Sequence, residues 1–154
     1  VKKQKLEILQ EEQKDIFTQK LELKIKSNTI YLGAVRQFIG NIALKEGFNE
    51  EIISNIKLAS DEAVANIIEH AYNFASENDI SISVWSDKNK FMIVMVDTGK
   101  LFSPDLPVVP DNNVFTELKR RGRGRYLMYQ LMDEVKYESI SGEGNKLTLV
   151  KYKR

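Results

Sequence analysis

At 154 residues and 42% hydrophobic content, the chain is long enough for one packed domain and short for two. It has no cysteine and one histidine, which excludes disulfides, thiolate metal sites, a cysteine nucleophile and clustered imidazole ligands. Lys and Arg number 23 against 22 Asp and Glu, so net charge gives no pull toward nucleic acid. Any metal must be held by oxygen, which favours Mg²⁺ or a similar hard ion. The longest uninterrupted apolar run, FMIVMV at 91–96, is far short of the roughly 20 residues of a membrane span. The charged start, VKKQKLEILQEEQK, lacks the apolar stretch of a secretory signal, so a cytoplasmic protein is expected.

In chain order, Leu6, Leu9, Ile16 and Phe17 give residues 1–18 a thin apolar stripe, predicting a short amphipathic helix. It reads as a solvated arm or linker, or as a dimerising helix that would make a homodimer. KLELKIK at 20–26 alternates Leu21, Leu23 and Ile25 with charge, the period of a half-buried strand. Ser27 and Asn28 are good caps for a helix to about Glu46, where Gly47 supplies the stop. Asn49 with Glu50 and Glu51 opens a second helix, predicted to run to Tyr72. DISISVWS (79–86) and KFMIVMVD (90–97) read as a strand pair turned by SDKN (86–89). Residues 98–123 hold all three prolines and read as a functional lid or a disordered segment. GRYLMYQLMDEV (124–135) predicts a third helix, and VKYESI and KLTLVKY form a hairpin around SGEGN. The order β-α-α-β-β-lid-α-β-β predicts an α+β fold, a two-layer α/β sandwich with three helices on one face of a mixed sheet.

Three constellations carry chemistry. In LASDEAVANIIEHAY (58–72), Glu62, Asn66 and His70 recur every four residues beside a half-circumference of Ala, Val and Ile. A carboxylate and an amide there either cap something local or face a cavity. In VDTG (96–99), Asp97 leaves the end of an apolar strand just before Gly99. A carboxylate in a dry pocket is a selective anchor, because a missing hydrogen-bond partner is costly there. In LKRRGRGR (118–125), five basic residues surround Gly122 and Gly124 at a helix start. Free backbone amides and the helix dipole favour phosphate at such a start. His70 reads as a structural residue near Tyr72. Without interleaved aromatic residues, the basic cluster suits phosphate or acidic protein surfaces better than nucleic acid.

In this order the three stretches resemble the nucleotide-binding boxes of the GHKL ATPase superfamily, and within it the anti-sigma factor serine kinases of the RsbW and SpoIIAB type. DEAVANIIEHAY is similar to that family's N box, VDTGKLFSPD to its second box, and GRGRYLMYQLMDEV to its glycine box. The likeness runs from about Lys20 to Tyr152 and implies the Bergerat, histidine-kinase-like ATPase fold over residues 19–154. It implies ATP and Mg²⁺ as cofactors. Glu62 then resembles the general base, Asn66 the Mg²⁺ ligand, and Asp97 the acceptor of the adenine amino group with Gly99 beside the base. Gly122 and Gly124 resemble phosphate-contacting glycines, Thr148 a strand threonine near the adenine, and Arg120 a basic residue near the γ-phosphate. The sequence departs from the superfamily's D-x-G-x-G at Leu101. The implied function is an ATP-dependent serine/threonine kinase that phosphorylates a STAS-type antagonist, sequesters a sigma factor, or does both. A non-catalytic nucleotide-gated switch and the catalytic domain of a sensor kinase are the alternatives. No direct contact with nucleic acid or membrane is expected.

Overall fold

The computed structural model describes residues 19–102, 123–140 and 142–154. The N-terminal amphipathic segment, most of the lid, Arg120 and Gly122 lie outside these residues.

β1 (Gln19–Lys26) turns Leu21, Leu23 and Ile25 inward while Lys20, Glu22, Lys24 and Lys26 stay exposed, as a period of two requires. Asn28 then accepts a hydrogen bond from the Ile30 N–H at 3.1 Å and opens a 3₁₀ turn, Thr29–Tyr31, that leads into α1 (Leu32–Lys45). α1 buries Val35, Ile39 and Ala43 at intervals of four. α2 (Glu50–Asn66) is capped by Asn49, whose side chain accepts from the Ile52 N–H at 2.9 Å, with Glu50 and Glu51 at the positive end of the helix dipole. Its buried face, Ile53, Ile56, Ala59, Ala63 and Val64, packs against both α1 and α3 (Arg123–Leu131).

The strands β2 (Asp79–Ser86), β3 (Lys90–Asp97), β4 (Glu134–Ile140) and β5 (Gly144–Tyr152) complete a five-stranded sheet in the order β1-β2-β3-β5-β4. The two-layer α+β expectation holds, but the sheet is antiparallel throughout rather than mixed. The connections explain this. α1 and α2 run out and back, returning the chain to the end where β1 finished, so β2 runs against β1. The single helix α3 does set β4 parallel to β3, but β5 inserts between them. Ile80, Ile82, Val84, Phe91, Ile93, Met95, Leu147 and Leu149 fill the helix-facing side and are at most 2% exposed. Removing each from water is worth about 1.5–3 kcal/mol.

α3 is shorter than the sequence suggests. Beyond Leu131, the Asp133 N–H donates to the Val150 carbonyl at 2.9 Å and its Oδ2 accepts from the Tyr152 N–H at 2.7 Å. A residue held by β5 through both backbone and side chain has left the helix, so the predicted last turn becomes the approach to β4.

Candidate functional site

Alternation along β3 places Asp97 on the same side as Phe91, Ile93 and Met95, facing the helices, and it is 2% exposed. Oδ1 accepts from the Gly99 N–H at 2.9 Å and from Asn145 Nδ2 at 2.9 Å. Oδ2 is buried and has no hydrogen-bond partner among the described residues. Burial pushes the carboxyl above the usual carboxylate range, and the hydrogen bonds from Asn145 and Gly99 oppose that push. An unpaired buried acceptor costs about 1–3 kcal/mol, so a ligand donor that reaches Oδ2 recovers that cost.

The chain leaving Asp97 is seamed to the end of α2. The Thr98 N–H donates to the Tyr72 hydroxyl at 2.8 Å, that hydroxyl donates to the Asp79 carbonyl at 2.7 Å, and the Lys100 N–H donates to the Ala71 carbonyl at 2.8 Å. Two glycines make the approach possible. A Cβ on Gly99 would lie 2.3 Å from the Ala71 carbonyl oxygen. Gly144 has φ +115°, and a Cβ there would lie 2.0 Å from the Asp97 carbonyl oxygen. A cavity of about 360 Å³ opens beside this seam, lined by Thr98, Gly99, Leu101 and Glu143 among others.

On the helix side, Asn66 is 8% exposed and its Nδ2 is buried without a partner among the described residues. Glu62 lies one turn earlier and is half-buried. Directly after Asn66 the helix widens into a π turn, Ile67–Ala71, in which the Tyr72 N–H reaches back five residues to the Ile67 carbonyl at 3.1 Å. Such turns concentrate at functional sites. This one breaks the four-residue stripe: His70 is exposed with Nε2 3.8 Å from Glu69, while Tyr72 is buried.

The fold therefore brings Asp97 and Gly99 against the turn that follows α2, the helix that carries Glu62 and Asn66. Gly124 lies in the first turn of α3, which packs on α2. Thr148 is not brought to the site. It pairs with Val94, one residue out of phase with the Asp97–Asn145 and Met95–Leu147 pairs, so it faces the other side of the sheet. The β5 residue beside Asp97 is Asn145, which is 1% exposed. The sequence alone puts it in the SGEGN turn. The inward phase of Leu147 and Leu149, continued back by two, was the signal that placed it.

Asn66 carries a hard oxygen suited to Mg²⁺, and its unpartnered Nδ2 is a donor that an acceptor such as a phosphate oxygen would satisfy. Among the described residues no group of three or more His, Cys, Asp or Glu side chains could hold a metal unaided. A larger cavity, about 470 Å³, lies at the opposite end of the sheet. Its Lys153 is already committed to Glu46 Oε2 at 2.6 Å, Ser86 Oγ at 2.8 Å and the Asp87 carbonyl at 2.7 Å. Asp97 Oδ2, buried without a partner among the described residues, marks the other end instead. No described helix is long and apolar enough to cross a membrane.

The histidine kinase-like ATPase domain matches residues 25–151. The serine-protein kinase RsbW of Bacillus velezensis is 33% identical over 128 residues, which cover 79% of this chain and 79% of the relative. The protein of the same name from Bacillus subtilis is 30% identical over 128 residues, again 79% of each. That of Bacillus licheniformis is 34% identical over 131 residues, covering 79% of this chain and 80% of the relative.

Proposed function

This chain belongs to the histidine kinase-like ATPase family, and from that premise we propose that it is an ATP-binding regulatory kinase that phosphorylates a serine or threonine on a partner protein. The observation that carries the reading is Asp97: a buried carboxylate with one oxygen held by two donors and the other left for a ligand. The adenine amino group is a donor of the right chemistry for Oδ2, and Gly99 resembles the residue beside the base.

The family resemblance supplies a role for each remaining residue. Glu62 accepts the proton of the attacking hydroxyl. Asn66 would supply an oxygen to Mg²⁺, and the ion, when bound, would offset charge on the transferring phosphate. Gly124, in the first turn of α3, would bring its backbone amide toward phosphate, where the helix dipole adds to the attraction, and Gly122 resembles the second phosphate-contacting glycine. Arg120 stabilises charge at the γ-phosphate. Phosphoryl transfer needs positioning and charge stabilisation more than covalent participation, and these residues supply both. In this reading residues 19–154 are the ATPase domain and residues 1–18 an arm that precedes it. The partner is a STAS-type antagonist, a sigma factor, or both in turn, and the protein works in the cytoplasm.

Calorimetric titration with ATP and ADP, with and without Mg²⁺, tests the reading. Both nucleotides should bind, ATP more tightly with Mg²⁺. Absence of heat with ATP and Mg²⁺ at high micromolar protein would overturn it.

A further inference from the structure

Asn145 has no part in the roles above, yet both polar atoms of its buried amide are fully engaged. Nδ2 donates to Asp97 Oδ1 at 2.9 Å and to the Lys100 carbonyl at 2.8 Å. Oδ1 accepts from the Phe102 N–H at 2.9 Å and from Ser139 Oγ at 3.1 Å. These partners dictate which way the amide points. A backbone N–H only donates and a carbonyl only accepts, so a flipped amide would set donor against donor at Phe102 and acceptor against acceptor at Lys100. One side chain thus ties together the end of β3, the backbone of residues 100–102, β4 and β5.

We infer that Asn145 is the positioning residue of the base site: it occupies Asp97 Oδ1 so that Oδ2 is the oxygen offered to the nucleotide, and locks that offer to the backbone of residues 100–102. The inference rests on the ATP reading above. A donor on Oδ1 also favours the ionised carboxylate against the pull of burial. An ionised Oδ2 can only accept, so it welcomes a base that presents an amino group and rejects one that presents a carbonyl in the same place. Only an amide supplies this set. A carboxylate at position 145 has no donor for Asp97 or for the Lys100 carbonyl, and a single hydroxyl cannot serve all four partners.

Asn145→Asp is nearly isosteric and sets a second carboxylate against Asp97. The experiment is titration with ATP, and separately with GTP, from about pH 5.5 to about pH 8.5, reported as the ratio of variant to wild-type Kd, in which the nucleotide's own titration cancels. Two facing carboxylates do not both ionise readily, so the ratio for ATP should be on the order of tenfold or more near neutrality and should fall as pH rises. The preference for ATP over GTP should shrink. Should Asn145→Asp fail to fold, Asn145→Ala decides: losing the donor should raise its ratio toward acid pH. A ratio constant across pH with unchanged base preference, in whichever variant folds, means the side chain is merely structural and overturns the inference while leaving the ATP site standing. Wild-type protein that binds no ATP at any pH overturns both.

Discussion

Asp97→Asn removes a charge from the end of β3 without changing the side chain's shape. The amide that results has no choice of orientation. The place of Oδ1 faces two donors, the Gly99 N–H and Asn145 Nδ2, each at 2.9 Å, so the new oxygen takes that place and the new NH₂ takes the place of Oδ2. A donor then meets the adenine amino group, itself a donor. Losing a hydrogen bond to a charged group costs about 1.5–3 kcal/mol, which weakens ATP binding roughly 10- to 150-fold. Stability without nucleotide should move the other way. The folded-state pKa of Asp97 is raised, chiefly by burial, so the folded protein holds this proton more readily than the unfolded chain. Above that raised value the ionised carboxylate opposes folding, and a neutral amide does not. The variant should therefore melt no lower than wild type at neutral pH, and any gain should fade as pH falls toward about 3.9, the ordinary aspartate value. Calorimetry with ATP and Mg²⁺, paired with thermal melts across pH, reads both effects. Affinity within twofold of wild type would refute the adenine placement. Lost affinity together with a melting point several degrees lower would show that Asp97 is structural instead.

Asn66→Ala should weaken ATP binding and abolish its enhancement by Mg²⁺, since the side chain would hold the ion in ground state and transition state alike; a titration with undiminished Mg²⁺ dependence would contradict the assignment. Gly99→Ala would force a Cβ to 2.3 Å from the Ala71 carbonyl oxygen, so the seam must open at a cost of about 2–4 kcal/mol. An unshifted urea midpoint would show that the loop yields freely. Burial would raise Glu46, but hydrogen bonds from Lys153 and Ser86 outweigh it and hold the carboxyl below its usual value. Its contribution is thus present above about pH 4.3, the ordinary glutamate value, and is lost as pH falls through the lower folded value. Lys153→Met should cost about 1–3 kcal/mol near neutrality and less at strongly acid pH; melting curves that stay parallel to wild type across pH would refute the linkage.

Much of this architecture was legible because the patterns were unambiguous. Leu21, Leu23 and Ile25 could only alternate, and Asn49 with two glutamates could only open a helix. Asp97 stood out because a carboxylate ended a strand that was otherwise apolar. What escaped depended on long-range pairing. The end of α3 was misplaced because Leu131, Met132 and Val135 suit a helix as well as a strand, and only the bonds from Asp133 to β5 decide between them. Thr148 resembles a threonine near the adenine, but its phase is set by register with Val94, which no local signal reveals. Asn145 was missed for the same reason: glycines on either side of Glu143 suggested a turn, while the ladder to Asp97 begins there. His70 left the stripe of Glu62 and Asn66 because a π turn follows Asn66, and spacing in the sequence does not announce it.

Transfer of labelled γ-phosphate from ATP to a serine or threonine of a STAS-type partner, followed for wild type and Glu62→Ala with ATP affinity measured alongside, tests phosphoryl transfer most directly. Wild type should label the partner. Glu62→Ala should cut the rate by roughly 10²–10⁴-fold, the usual worth of a general base, while holding ATP affinity within a few fold. Wild-type protein that binds ATP and labels no such partner, with Glu62→Ala regulating as wild type does, would contradict the kinase and leave a nucleotide-gated binding module.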